Sequence, residues 1–387
     1  MIDLISADKQ YIAGTYNRFP IEIVSGKGSR VVDTNGKEYI DMGSGIGVTA
    51  FGLADDVWSS AVAKQAATLQ HMSNLYYTEP CALLAKALCE KTGLKKVFFA
   101  NSGAEANECA IKVARKWAAE NKGDDCYTIV TLQNSFHGRT LTTLAATGQD
   151  HFHKLFKPLT DGFVHTPAND IVALKKTVSE NSVAAVMFEC VQGEGGVIAL
   201  DYDFVKEIEK LSKEYNFLMI VDEVQTGNGR TGKIYGYMNY GINPDVVTTA
   251  KGLGGGLPIG AAMMSERVEG VLGFGDHGST YGGNPVCSAG ALTVINRLTD
   301  EFLDEVKAKS EYVFNALNGA EGIENVSGMG LMIGIKTVKP AAEVVKAAIE
   351  KGVLCLTAKD KVRLLPALNI PLTDLKIAID TIKEVAK

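Results

Sequence analysis

Two ionisable residues stand at the ends of apolar runs, where solubility gives no reason for them. Lys251 follows Val246-Val247-Thr248-Thr249-Ala250 and precedes the glycine-dense stretch Gly252-Leu253-Gly254-Gly255-Gly256. An amine partly withdrawn from water loses its proton more easily and becomes a nucleophile towards carbonyl carbon. Asp222 ends the run Phe217 to Val221. A carboxylate in that position can keep a heteroaromatic nitrogen protonated, or cap a turn, or hold magnesium as in a Walker-B strand. The glycines are not a nucleotide loop, because no GxxxxGK[ST] pattern exists and they follow the lysine. They allow a sharp turn and leave room beside the amine.

Other residues have matching chemistry. Ser102-Gly103-Ala104 lies at a strand-to-helix junction, where free N–H groups suit an anion and Ser102 can equally be a plain N-cap. Phe136 can stack on a flat ring and Arg139 can clamp a carboxylate, although a core phenylalanine and a surface arginine would look the same. His137, between them, reads as structural. Glu189 and Glu194 bracket a glycine-rich loop, either solvated or able to occupy an arginine when no substrate does. Val224 and Gln225 follow Asp222 closely enough to touch the same ring, one on its face and one at its hydroxyl. Ser279 and Thr280 belong to a polar turn cluster with a hydroxyl available to a phosphate. Arg363 interrupts the apolar run Val362 to Pro366, as a pairing residue or as the exposed side of an alternating strand. A nucleophilic lysine, a strand-end aspartate, an aromatic ring and an anion cradle together are the equipment for holding pyridoxal phosphate.

These residues must be positioned by elements, and the pattern supplies them. Strands are predicted at Lys96–Ala100, 127–132, 183–189, 217–222, 246–250 and 259–264, alternating with helices at 55–70, 80–90, to 119 and 204–215. Short apolar strands alternating with helices predict an α/β fold with a mostly parallel sheet covered on both faces. Ligands of such sheets sit beyond the carboxyl ends of the strands. Ser102, Glu189, Asp222 and Lys251 all fall there. Asn35-Gly36 marks a hairpin in the first 50 residues. Residues 287–318 read as one or two helices, and Gly328–Ile335 as a glycine-punctuated strand. The expected organisation is a large domain over 51–285 and a smaller α/β domain built from 1–50 and 286–387.

A length of 387 residues favours two domains. The net charge of −6 argues against a nucleic-acid or anionic-membrane partner. Seven scattered cysteines without a CxxC pair predict neither a disulfide framework nor a structural metal site, and point to a reducing, cytoplasmic compartment. The N-terminus has no signal-like apolar core, and no run approaches membrane-spanning length.

Taken in order, SGAEANE, SFHGRT, Glu-x-x-Gln-Gly-Glu-Gly-Gly, DEVQTGxGRTG, AKGLGGGLPIG, HGSTYGGNP and RLLPALNI resemble the motifs of class III pyridoxal-phosphate aminotransferases of fold type I, from about Tyr16 to the end. The resemblance implies a homodimer with active sites at its interface, small-molecule substrates and no metal. It implies Lys251 as the Schiff-base lysine and proton carrier, Asp222 at the ring nitrogen, Val224 and Phe136 on the two ring faces, and Gln225 at the ring oxygen. Ser102, Gly103 and Ala104 would hold the phosphate, with Thr280 reaching the partner's phosphate. Arg139 would clamp the substrate α-carboxylate. Arg363 would be a second clamp, gated by Glu194, with Glu189, Ser279 and Tyr16 on the substrate side. The implied reaction moves the δ-amino group of N2-acetyl-L-ornithine to 2-oxoglutarate by a ping-pong cycle, giving N-acetyl-L-glutamate 5-semialdehyde and glutamate in arginine biosynthesis. Succinylornithine, ornithine, 4-aminobutyrate and N-succinyl-diaminopimelate remain alternative donors. An aminomutase, a decarboxylase or a non-catalytic cofactor-binding protein remain alternative functions. Ile46 stands where ornithine-specific relatives carry tyrosine. Cys190, Asn228 and Lys359 depart from the family pattern.

Overall fold

The computed structural model describes residues 3–387. Its centre is a seven-stranded sheet in the order Lys96–Ala100, Gly260–Met264, Val246–Thr249, Leu218–Asp222, Val183–Phe188, Thr128–Leu132, Phe163–Thr166. Gly260–Met264 runs antiparallel to both neighbours, and the remaining neighbouring pairs are parallel. Every residue of Val183–Phe188, Leu218–Asp222 and Gly260–Met264 is buried. Burial on both faces explains why these strands are apolar runs without alternation. The edge strand Phe163–Thr166 has no such signature. It is four residues long, partly buried and contains a histidine, too little pattern to read in advance.

The Gly103–Lys122 helix covers the sheet with Ala106, Ala110, Ile111, Val113, Ala114 and Trp117. Its N-terminus is fixed by Ser102, whose Oγ accepts from Glu105 N, while Glu105 Oε2 accepts from Asn101 N at 2.5 Å. Residues 287–318 form two helices, Pro285–Arg297 and Asp300–Leu317. The first packs on Asp56–Thr68 and Glu79–Thr92.

Two four-stranded sheets lie outside the central one, besides a two-stranded pair of Val191–Gln192 with Ile198–Ala199. In the first, Ile23–Lys27, Arg30–Asp33 and Glu38–Asp41 form an antiparallel meander, and Val353–Leu354 adds to it in parallel. N-terminal and C-terminal segments therefore share backbone hydrogen bonds. The Asn35-Gly36 turn is formed as expected: Gly36 has φ 79°, and Asp33 Oδ1 accepts from the N–H groups of Asn35 and Lys37. The second sheet runs Ile323–Met329, Met332–Thr337, Lys361–Leu364, Leu356–Ala358. Gly328–Ile335 is thus two antiparallel strands instead of one. The chain reverses at Gly330, where φ is 60° and any Cβ would stand 2.4 Å from Arg230 O. Apolar content hid the turn, because Met329, Leu331 and Met332 flank it without a polar break.

Among the described residues the seven cysteines are all thiols, no helix is long and apolar enough to cross a membrane, and no cluster of metal-ligating side chains occurs.

Candidate active site

The parallel strands end on one side, and a cavity of about 410 Å³ opens there. Its lining includes Ser102, Gly103, Ala104, Phe136, Glu189, Asp222, Val224, Gln225 and Lys251. Nine of the residues singled out in the sequence therefore meet around one space.

Lys251 begins a 3-10 turn with φ 44°, an uncommon conformation for a residue with a side chain. The strain turns the chain sharply at the sheet edge, and Gly254 tightens it, since a Cβ there would meet Leu257 O at 1.9 Å. Burial lowers the Lys251 pKa from the usual lysine range, against the opposing pull of Glu194 and Asp222. Asn228 steadies the strand just before it. Its Nδ2 donates to Thr249 Oγ1 at 2.9 Å and to Ala250 O at 3.2 Å, from a left-handed conformation that asparagine tolerates (φ 57°).

Asp222 is held from three sides. Oδ2 accepts from His137 Nδ1 and Asn107 Nδ2, each at 2.8 Å, and Oδ1 accepts from Val224 N at 3.0 Å. Asn107 is itself fixed by Thr248, whose hydroxyl donates to Asn107 Oδ1 at 2.6 Å. Asn107 and Thr248 escaped the sequence reading. The available signal was a single amide on a helix face otherwise apolar. His137, expected as structural, is fully buried and orients this carboxylate.

Val224 and Gly103 explain each other. A Cβ at residue 103 would lie 2.6 Å from Val224 Cγ1, so only glycine lets the valine reach the cavity wall. Phe136 is tied by its N–H to Glu189 Oε2 at 2.9 Å. Burial, with Asp222 nearby, raises the Glu189 pKa well above the ordinary carboxylate range.

Beyond Gln225 lies an ion pair. Arg363 Nη1 donates to Glu194 Oε1 at 2.5 Å, and Gln225 Nε2 reaches the same oxygen at 3.4 Å. Burial alone would raise Glu194, but Arg363 holds its pKa below the usual value. Arg363 comes from the Lys361–Leu364 strand of the outer sheet and is buried. Arg139 lies outside the cavity lining, exposed, with its guanidinium over the rings of Phe152 (4.0 Å) and Phe136 (5.3 Å). Tyr16 is exposed on the surface beneath Arg18. Ser279 Oγ accepts from Asn101 Nδ2 at 3.2 Å, and Thr280 faces a separate surface hollow with His71 and Asn74.

The Aminotransferase class-III family model matches residues 11–386. This chain is a class-III aminotransferase. It is 50% identical to the acetylornithine aminotransferase of Haemophilus ducreyi, over 94% of this chain and 93% of that protein. Among solved structures, ornithine aminotransferase from Toxoplasma gondii superposes with a TM-score of 0.94 at 31% identity, covering 99% and 94% of the two chains. N-acetylornithine aminotransferase from Stenotrophomonas maltophilia superposes with a TM-score of 0.85 at 32% identity, covering 98% of each. The α/β, fold-type-I expectation holds.

The cofactor of this class-III aminotransferase is pyridoxal 5′-phosphate. The residues present fit it. The N–H groups of Gly103 and Ala104 begin a helix and have no intrahelical partner, so an anionic group at the cavity's end is favoured. Asp222, held in place by three donors, lies in the same lining as Lys251, which among the described residues has no hydrogen bond at Nζ.

Proposed function

We propose that the chain transfers the terminal amino group of N2-acetyl-L-ornithine to 2-oxoglutarate, forming N-acetyl-L-glutamate 5-semialdehyde and L-glutamate in two half-reactions. Bound pyridoxal phosphate supplies an aldehyde to capture the amine and a protonated ring to draw electrons from the substrate carbon. The protein provides the rest. Asp222, oriented by Asn107 and His137, would hold the proton on the ring nitrogen. Lys251 Nζ would hold the cofactor and, when not so engaged, would move a proton at the substrate carbon that bears nitrogen. Phe136 and Val224 would hold the ring faces, Gln225 the ring hydroxyl, and Ser102, Gly103 and Ala104 the phosphate.

The two substrates place different demands on one pocket. Acetylornithine presents a terminal amine with its α-carboxylate remote, for Arg139 to hold. Glutamate presents an α-amine and a second carboxylate, for Arg363 to hold. An uncovered Arg363 would favour dicarboxylates alone. The reading is carried by one observation: Arg363 is buried and already paired with Glu194, 2.5 Å away, beside Gln225. A decarboxylase or aminomutase has no need of such a covered arginine. Glu189, Ser279 and Tyr16 line the substrate side in this account. The relatives named acetylornithine aminotransferase, at 42–50% identity, support this choice of donor over ornithine.

The reading includes a homodimer, with Thr280 reaching the phosphate of the neighbouring subunit. Leu75, Tyr76, Tyr77 and Tyr281 are exposed on the two loops that meet at the Thr280 turn, and Asn74 Nδ2 donates to Ser279 O and Gly282 O at 2.9 Å each, which ties those loops together. It also includes a cytoplasmic setting and a division into 51–285 as cofactor domain and 1–50 with 286–387 as small domain. Glu194 then belongs to one part and Arg363 to the other. The test is a panel of first half-reactions with acetylornithine, succinylornithine, ornithine, 4-aminobutyrate and N-succinyl-diaminopimelate, followed by loss of the yellow cofactor absorbance. Acetylornithine should give the highest kcat/KM; a tenfold preference for any other amine overturns the donor assignment.

A further inference from the structure

The Leu356–Ala358 and Lys361–Leu364 strands are joined by two residues, Lys359 and Asp360. Lys359 has φ 53°, whereas Asp360 is not in the left-handed region. A two-residue hairpin with positive φ at its first position alone is the arrangement that glycine serves best. A lysine there is strained, so something other than the turn must account for it.

Its side chain provides the account. Lys359 Nζ donates to Asn134 Oδ1, across from the outer sheet to the turn that follows Thr128–Leu132. Asn134 is also left-handed, with φ 65°. Between the two lies the loop that carries Glu194. Gln192 Nε2 donates to Gln133 O at 2.9 Å, and a Cβ on Gly195 would stand 2.6 Å from Asn134 O, so the loop is stacked directly on that turn. On the other side, a Cβ on Gly196 would meet Lys359 Cδ at 4.0 Å. The Glu194 loop is therefore held between the 133–134 turn and the lysine stem. Four residues after Lys359, the same hairpin presents Arg363 to Glu194.

We propose that Lys359 is a specificity-positioning residue, which by spanning to Asn134 holds the Glu194 loop against the Arg363 strand and biases the arginine towards its covered state. The proposal rests on the gate described above. Loss of the strap frees Glu194 to swing away, so Arg363 is more often available to a dicarboxylate and less often neutralised for the ω-amine donor. The two substrates respond in opposite directions, which a general loosening of the fold would not produce.

The experiment is single-turnover kinetics of holoenzyme with glutamate and with acetylornithine, for wild type, Lys359→Gly, Lys359→Arg, Glu194→Ala and the double variant Lys359→Gly/Glu194→Ala. Lys359→Gly relieves the turn while removing the strap. Its half-saturation for glutamate should fall and that for acetylornithine rise, each about threefold, as fits one solvent-accessible polar contact. Lys359→Arg should restore the wild-type ratio, and Lys359→Gly should add nothing in the Glu194→Ala background. If Glu194→Ala shifts the ratio and Lys359→Gly does not, the strap is refuted and the gate stands. If Lys359→Gly moves both substrates the same way, the role is structural and the proposal is wrong. If Glu194→Ala leaves the ratio unchanged, the gate is absent and the proposal falls with it.

Discussion

At the scale of single residues, the site holds two carboxyl groups shifted in opposite directions. Glu194 is drawn below its usual pKa by Arg363, and Glu189 is driven above its own by burial. The second has a consequence for stability. A carboxyl whose folded pKa is raised binds its proton more tightly in the folded state. Its contribution is complete below the unfolded value of 4.5 and declines as pH rises towards the folded value. Glu189→Gln keeps an oxygen for Phe136 N and removes this dependence. The variant's melting temperature relative to wild type should therefore be higher at pH 8 than at pH 4.5, measured by paired thermal melts of the apo-proteins. Lys251 and Asp222 were legible from sequence because charged groups ending apolar strands are costly without a purpose. Asn107, Thr248 and Asn228 were not. They are ordinary polar residues until the fold brings Asn107 to Asp222, Thr248 to Asn107 and Asn228 to Thr249, and nothing in their local sequence encodes those distances.

At the scale of elements, two features define the cofactor pocket: the strand ends and the start of the Gly103–Lys122 helix. The approach of Val224 to Gly103 links them. Gly103→Ala forces a methyl group against Val224 Cγ1 and Cγ2, at 2.6 and 2.7 Å. Overpacking of this kind costs about 1–3 kcal/mol, and the displaced group is either the valine or the helix N-terminus proposed to receive the phosphate. Cofactor affinity should fall roughly tenfold or more while the far-ultraviolet circular dichroism spectrum is retained; an unchanged dissociation constant would show that the contact carries no load. The buried strands announced themselves through continuous apolar runs. The Gly330 hairpin and the Phe163–Thr166 edge strand did not, one because its turn lacks polar residues and the other because an edge position asks little of its sequence.

At the scale of the whole molecule, the Arg363–Glu194 ion pair joins parts distant in sequence, and so do the contacts that support it. Arg230, in the DEVQTGxGRTG stretch, is buried and donates from Nη1 to Leu331 O at 3.1 Å and Pro366 O at 2.6 Å. It ties the loop after Asp222 to both ends of the outer sheet's core. Arg230→Ala leaves a cavity and two buried carbonyls without a donor, at a cost of about 2–4 kcal/mol. The urea midpoint should shift down accordingly, and an unchanged midpoint would remove Arg230 from this role. The N-terminal meander pairing with Val353–Leu354 was foreseeable only as a grouping of chain ends, since strand pairing over such separation leaves no local trace. That same separation is why Arg363 looked ambiguous in sequence and acquires meaning only beside Glu194.

The most direct test is therefore made on Arg363 itself. Separate samples of holoenzyme carrying Arg363→Ala are mixed with acetylornithine or with glutamate, and loss of the yellow absorbance is followed in each. The account predicts that acetylornithine still bleaches the cofactor at a rate within a few-fold of wild type, while kcat/KM for glutamate falls roughly a hundredfold or more, as expected for loss of a buried charge partner. Undiminished turnover of glutamate by Arg363→Ala, or equal loss with both substrates, would contradict it.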